Sequence, residues 1–192
     1  RDIVNQPMFI ESHRLSVYKE RALDVSVVLD LMIHDIDLIS NFVGARISDV
    51  RAAGIPVITD QVDIANARLQ FESGCVANVT ASRVSMKNER KIRLFQRDAY
   101  ISVDFANHGI TLVRRNEQVS DSLIPGMEIQ QLQFEKGDAL EDELKAFVRA
   151  VAGRQTPEVD GRVGRSALQI ALHVMDQIHT TNVRHLSSGS EL

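Results

Sequence analysis

From Ile64 onward the chain alternates strictly. Ala65, Ala67, Leu69 and Phe71 fall on one face, and Asn66, Arg68, Gln70 and Glu72 fall on the other. Period two is the signature of a strand with one buried face. Ser73-Gly74 then breaks the run as a hairpin turn, and the return strand keeps the pattern, with Cys75, Ala77, Val79 and Ala81 set against Asn78, Thr80 and Ser82. Further strands are predicted at Met8–Arg14, Ile47–Ile55 (ended by Pro56), Lys91–Gln96, Ala99–Asp104 and Ile110–Arg114. Arg97-Asp98 and Asn107-His108-Gly109 supply turns between the later ones. Strands in such close succession predict an antiparallel meander and not a βαβ repeat.

Elsewhere the period lengthens to that of a helix. Val27–Val43 is apolar around most of its circumference, and Gly44 is placed to cap its C-terminus. Asp138 is placed to cap a helix over Ala139–Val151, with acidic residues in its first turn and Arg149 late, as the helix dipole favours. A longer helix over Arg162–Thr181 carries a buried stripe of Ala167, Ile170, Ala171, Val174 and Ile178. The fold class expected is therefore α+β: an open, mainly antiparallel sheet with helices packed on one face. One domain spans residues 1–182, and 183–192 form a frayed tail. The other sheet face bears Asn66, Arg68, Gln70, Asn78, Thr80 and Ser82, few of them charged, and is expected to serve as a homo-oligomer interface.

Composition narrows the class further. With 192 residues, 44% of them hydrophobic, the chain can bury a sizeable core. A net charge of −4 with scattered basic residues gives no nucleic-acid footprint. No apolar run approaches the roughly 20 residues that cross a bilayer, so neither a membrane nor a nucleic acid is expected as partner. A single cysteine, Cys75, excludes a disulfide framework and a thiolate metal site, and suggests a reducing, cytoplasmic setting. His173 and His179 do not share a helix face, and no metal site is expected.

The candidate chemistry sits in Asp30-Leu31-Met32-Ile33-His34-Asp35-Ile36-Asp37. At about 100° per residue, Asp30, His34, Asp37 and Asn41 share a stripe roughly 60° wide on an otherwise apolar helix. Such a helix is buried, and its polar stripe must face a partner or a wet cleft, because an unpaired buried charge costs several kcal/mol. An imidazole beside a carboxylate on such a stripe suits acid–base work, whereas the ordinary alternative is a satisfied surface pair one turn apart. His13 and Arg14 end the strand before this helix and are candidates to meet an anionic group on a substrate. Arg83 follows a polar strand and is a further candidate.

The order of elements and this motif together resemble the C-terminal, substrate-binding half of the Gfo/Idh/MocA family of NAD(P)-dependent sugar oxidoreductases. The family pattern Asp-x-Gly-x-His-x-x-Asp is matched by Asp30, His34 and Asp37, with Met32 where the family usually has glycine. The stretch Phe9–Arg14, with Asp24 and Val28–Asp37, also resembles the UDP-N-acetylglucosamine 3-dehydrogenase-like branch. The resemblance implies the C-terminal domain of a two-domain dehydrogenase. Its cofactor, NAD or NADP, would be bound mainly by a Rossmann domain upstream of Arg1, because none of the ten glycines forms Gly-x-Gly-x-x-Gly. It further implies His34 as the catalytic base with Asp30 as its partner. Arg14, His13, Asp37 and Arg83 are the substrate-side candidates, and the substrate is a sugar or sugar nucleotide. This piece alone is expected to be inactive. Two rival readings stand beside it: a non-catalytic oligomerisation or sugar-binding module, and a hydrolase using Asp30 and His34 on water. The second lacks any Gly-x-Ser-x-Gly nucleophile elbow.

Overall fold

The structure, a computed structural model, describes residues 3–116, 124–157 and 159–188. Strands β1 (Phe9–Leu15), β2 (Ile47–Ile55), β3 (Ile64–Phe71), β4 (Val76–Ser82), β5 (Glu89–Phe95), β6 (Ala99–Asp104), β7 (Gly109–Arg115) and β8 (Met127–Gln133) form one open sheet. Their spatial order is β2-β3-β4-β1-β5-β6-β7-β8. A π-helical turn (Val28–Met32) leads directly into α1 (Ile33–Val43), and α2 (Ala139–Ala152) and α3 (Gly161–Ser188) close the chain.

The alternation read at β3 and β4 holds residue for residue: Ala65, Ala67, Leu69, Phe71, Ala77, Val79 and Ala81 are buried, and Asn66, Arg68 and Gln70 are exposed. Gly74 takes the turn with φ of +86°, a conformation that glycine adopts without steric cost. Gly44 ends α1 in the same left-handed region, its N–H donating to the Ser40 carbonyl. Asp138 caps α2 by accepting from the Leu140 and Glu141 amides, and Asp160 caps α3 through Arg162 and Val163.

The structure departs from expectation at four points. The sheet is not a pure meander, because β1 pairs in parallel with β4, Phe9 beside Val76 and Leu15 beside Ser82. Every other pairing is antiparallel. The crossover through α1 allows the first strand to enter the middle of the sheet. Strand β8 was not foreseen. It is an edge strand whose last four residues are exposed, so its periodic signal is weak. Finally, α1 and α3 pack against the sheet and each other as expected, but α2 does not. Its Leu140, Leu144, Phe147, Val148 and Val151 are all exposed. α3 also runs to Ser188, beyond the Thr181 end expected, and positions 189–192 lie outside the described residues.

One close approach locks α3 onto β2. A Cβ at Gly54 would lie 2.8 Å from Val62 Cγ1 and 3.0 Å from both Ile178 Cδ1 and the Ile64 carbonyl. Beside it, the Asn182 amide donates to the Gly54 carbonyl at 3.0 Å and the Thr181 hydroxyl to that of Ala52 at 3.3 Å. The core thus sits between the sheet's inner face and the α1–α3 layer. No described helix is long and apolar enough to cross a membrane.

Candidate functional site

Two loops must be held before the polar helix can start where it does. Asp63, fully buried, accepts at Oδ2 from the amides of Val57, Ile58 and Thr59 and at Oδ1 from the Thr59 hydroxyl. Burial pushes its carboxyl up, but the Thr59, Ile58 and Val57 amides together with the Thr59 hydroxyl outweigh it and hold the group at about 2. Arg83, 5% exposed, lies with Nε 3.8 Å from Asp63 Oδ1. Its two terminal nitrogens donate to the carbonyls of Ala22 and Val25 in the loop that enters the helix. Val27 N–H then donates to the Val62 carbonyl, and the Ser26 hydroxyl accepts from Val28 N–H. Arg83 is therefore committed to positioning the helix entry.

The entry is a π turn and not the α-helical turn expected from the periodicity. Ile33 N–H reaches the carbonyl of Val28, five residues back. Turns of this kind recur at functional sites. The extra residue keeps Val28, Met32, Ile36 and Ile39 together in the core. Met32, in the family's glycine position, is fully buried. On the outer side His34 is exposed, and Asp30 and Asp37 are half-buried. Among the described residues neither Asp30 nor His34 has a hydrogen-bond partner for its side chain. Asp37 offers its backbone carbonyl to the Asn41 amide at 3.3 Å. The stripe thus presents an imidazole and a carboxylate, one turn apart, on the half-exposed side of the helix.

What fixes the rotation of this helix is a residue the stripe did not include. Asp35 is 2% exposed and accepts both arms of Arg14, Nε to Oδ2 at 2.9 Å and NH2 to Oδ1 at 2.7 Å. This fork-to-fork pair is the strong form of a charge-assisted hydrogen bond. It ties α1 to the end of β1 and turns the neighbouring His34 outward. The signal was present in the sequence: Asp35 is the one charge on the apolar side of the helix, and Arg14 is a cation ending a strand that precedes it.

The remaining candidates do not converge on one point. His13 and Arg14 are consecutive in β1 and so point to opposite faces of the sheet. His13 lies on the open face, Nδ1 3.3 Å from Glu89 Oε1, and Lys87 pairs with the same carboxylate. Lys87 first, against the opposing effect of burial, and His13 after it hold Glu89 below the ordinary carboxylate range. Arg14 lies on the helix-bearing face and lines a cleft of about 790 Å³ whose wall includes Leu31 of the π turn. Cys75 is buried and its thiol is pushed up to about 11 by that burial, which leaves it unreactive. Across the open face, the Asn66 amide donates to the Thr80 hydroxyl at 2.9 Å and Arg68 to Asn78 at 3.3 Å.

An open mixed sheet, with a polar-striped helix laid over its central parallel pair, defines the C-terminal domain of a class of two-domain oxidoreductases. The chain belongs to the GFO/IDH/MocA family, whose C-terminal domain matches residues 5–102. It is 40% identical to a UDP-N-acetylglucosamine 3-dehydrogenase from Acidithiobacillus ferrooxidans over 88% of this chain and 53% of that protein. It is 27% identical to a myo-inositol 2-dehydrogenase from Thermotoga maritima over 74% of this chain and 43% of that one. Among solved structures, the A. ferrooxidans enzyme GnnA superposes with a TM-score of 0.84 at 38% identity, covering 92% of this chain and 56% of that one. A levoglucosan dehydrogenase in complex with NADH and levoglucosan shares the fold at a TM-score of 0.79 and 12% identity, covering 94% of this chain and 59% of that one. The chain spans about half the length of the curated relatives it matches.

Proposed function

We propose that this chain is the substrate-side half of an NAD(P)-dependent oxidoreductase that oxidises a sugar hydroxyl to a ketone, with UDP-N-acetylglucosamine as the first candidate substrate. The observation that carries the reading is the imidazole of His34, one turn from the carboxylate of Asp30, neither with a side-chain partner among the described residues, on a helix whose rotation the Arg14–Asp35 pair fixes. His34 takes the hydroxyl proton as the carbon gives up its hydride. Asp30 orients the ring and stabilises the imidazolium that results. Asp37 braces the stripe from the next turn, and Arg14 faces the substrate side. A bound nicotinamide would supply the hydride acceptor. The sequence offers no Gly-rich turn to cradle a dinucleotide, so that role falls to another part of the full-length protein, and this segment alone is inactive. The uncovered sheet face with its Asn66–Thr80 and Arg68–Asn78 ladder serves as the homo-oligomer contact. The names of the relatives support the sugar or cyclitol class of substrate.

The test is dinucleotide reduction by the full-length protein across sugar nucleotides, free sugars and inositols, with His34→Asn beside the parent. The variant should lose about 10²- to 10⁴-fold in kcat, the usual contribution of a positioned general base, while remaining folded. Equal turnover in both proteins, or none on any substrate, would remove the stripe from the chemistry.

A further inference from the structure

The cleft beside the π turn carries a charge that the rest of the chain does not. The net charge of the whole sequence is −4, yet the cleft is lined by Arg14, Lys19, Arg21, Arg90 and Lys136 against the acids Asp104 and Asp142. Two of these seven are already satisfied. Arg14 is forked to Asp35. Asp104 accepts from the Ala106 amide and from both the backbone and side-chain amides of Asn107, and lies 4.0 Å from Lys91. Lys19, Arg21, Arg90 and Lys136 have no side-chain partner among the described residues. Four unpaired cations therefore face one unpaired acid, Asp142.

The sheet register adds a second observation. Arg14 of β1 stands directly opposite Arg90 of β5 in an antiparallel pair, both on the cleft side. Like charges directly opposite each other destabilise a sheet. Asp35 relieves only the Arg14 half, and Arg90 is left pointing into the cleft without an acid. The floor beneath it is apolar, with Val103, Ile110 and Phe134 contributing. Basic groups above apolar surface, in a volume that suits a nucleotide-sized ligand, fit a molecule with a polyanionic middle and flatter ends.

We infer that this cleft binds the diphosphate of a nucleotide-sugar substrate. The claim rests on the oxidoreductase reading for calling the ligand a substrate. The guanidinium of Arg90 offers phosphate oxygens a planar fork, and Lys19, Arg21 and Lys136 act as mobile point charges around it. The cleft shares Leu31 with the turn that carries Asp30, which sets it beside the start of the polar stripe. These residues make the protein prefer a nucleotide sugar over the same sugar without phosphate. A diphosphate also occurs in the dinucleotide itself, and the experiment separates the two sources.

Arg90→Gln/Lys136→Gln is made in the full-length protein, with Lys19→Gln/Arg21→Gln as an independent pair and Arg46→Gln, exposed and outside the cleft lining, as control. Binding of UDP, inorganic diphosphate and the dinucleotide is measured by calorimetry at two salt concentrations, and KM is measured for UDP-N-acetylglucosamine and N-acetylglucosamine. Each pair should weaken UDP binding and raise KM for the nucleotide sugar by about 10-fold, with the parent's affinity falling as salt screens the cations. kcat, dinucleotide affinity and the melting temperature should stay at parental values. Unchanged UDP affinity in both pairs overturns the proposal. So does a loss that falls on the dinucleotide instead, which would hand the cleft to the cofactor. UDP binding is read without turnover, so the two claims separate. Charge-dependent UDP binding in a protein with no dehydrogenase activity keeps the cleft and rejects the oxidoreductase reading. Turnover with parental KM in both pairs does the reverse.

Discussion

Replacing Asp35 by asparagine keeps the side chain's size and removes its charge, which leaves the Arg14 guanidinium facing an amide that can accept only one of its two hydrogen bonds. Arg14 is 13% exposed and Asp35 2% exposed, so solvent cannot take over the lost partner. Removing one member of a buried pair costs about 3 to 5 kcal/mol, mostly the penalty of an uncompensated charge. For a domain of this size each kcal/mol lowers Tm by about 2 to 4 °C, which predicts a fall of about 6 to 20 °C. Urea unfolding of the full-length protein should show the midpoint of this domain falling by about 1 M or more, for a slope of about 3 kcal/mol per M. The double variant Arg14→Leu/Asp35→Leu removes both charges and should recover most of the loss, because replacing a whole buried pair with apolar groups is near neutral. A double-mutant cycle should thus return a coupling of about 2 kcal/mol or more. A single Asp35→Asn variant within about 1 kcal/mol of the parent, or a double variant no better than the single, would refute the claim that this pair clamps α1 to β1.

Asp63 should make the domain acid-sensitive. Its folded carboxyl titrates at about 2 against an ordinary 3.8, so it contributes about 2 kcal/mol that is present above pH 4 and lost as pH falls through 2. Asp63→Asn should be less stable than the parent at pH 7 in urea titrations, and the gap should close towards pH 2; a gap independent of pH would exclude this origin. Gly54→Ala should cost about 1 to 3 kcal/mol by overpacking against Val62, Ile178 and the Ile64 carbonyl, read as a lowered thermal midpoint. A midpoint equal to the parent's would mean that α3 can shift away from β2 freely.

The β3–β4 hairpin was legible residue by residue, because strict alternation and a Ser-Gly turn encode both the faces and the turn locally. The end of α1 and the start of α2 were legible for the same reason, with Gly44 and Asp138 acting on their immediate neighbours. What local pattern does not encode is pairing across distance. The parallel β1–β4 contact joins residues that sequence spacing gives no reason to connect, and β8 hides because an exposed edge needs little apolar surface. The π turn differs from an α turn by one residue, which a 100° wheel cannot resolve. For the site, the Asp30–His34 stripe was readable from the helix period, but Asp35 was absorbed into the apolar side. The grouping of His13 with Arg14 ignored a rule the sequence itself carries, that neighbours in a strand face opposite ways. The cationic cleft gathers residues from four separate segments, so no single stretch announces it.

The position of β1 also governs when this domain can assemble during synthesis. It is made first but belongs at the seam, with β2-β3-β4 on one side and β5-β6-β7-β8 on the other. Each flanking set can form from near neighbours alone, whereas β1 must wait until Phe95 has emerged to gain its second partner. At about 5 to 20 residues per second that wait lasts about 4 to 16 s, and one strand edge stays unpaired throughout it. Such a strand is a template for joining other chains. Glu11, His13 and Arg14, three ionisable side chains in a seven-residue strand, keep it soluble through that interval, so the residues that later divide between the two faces of the sheet first act as guards against aggregation on the ribosome.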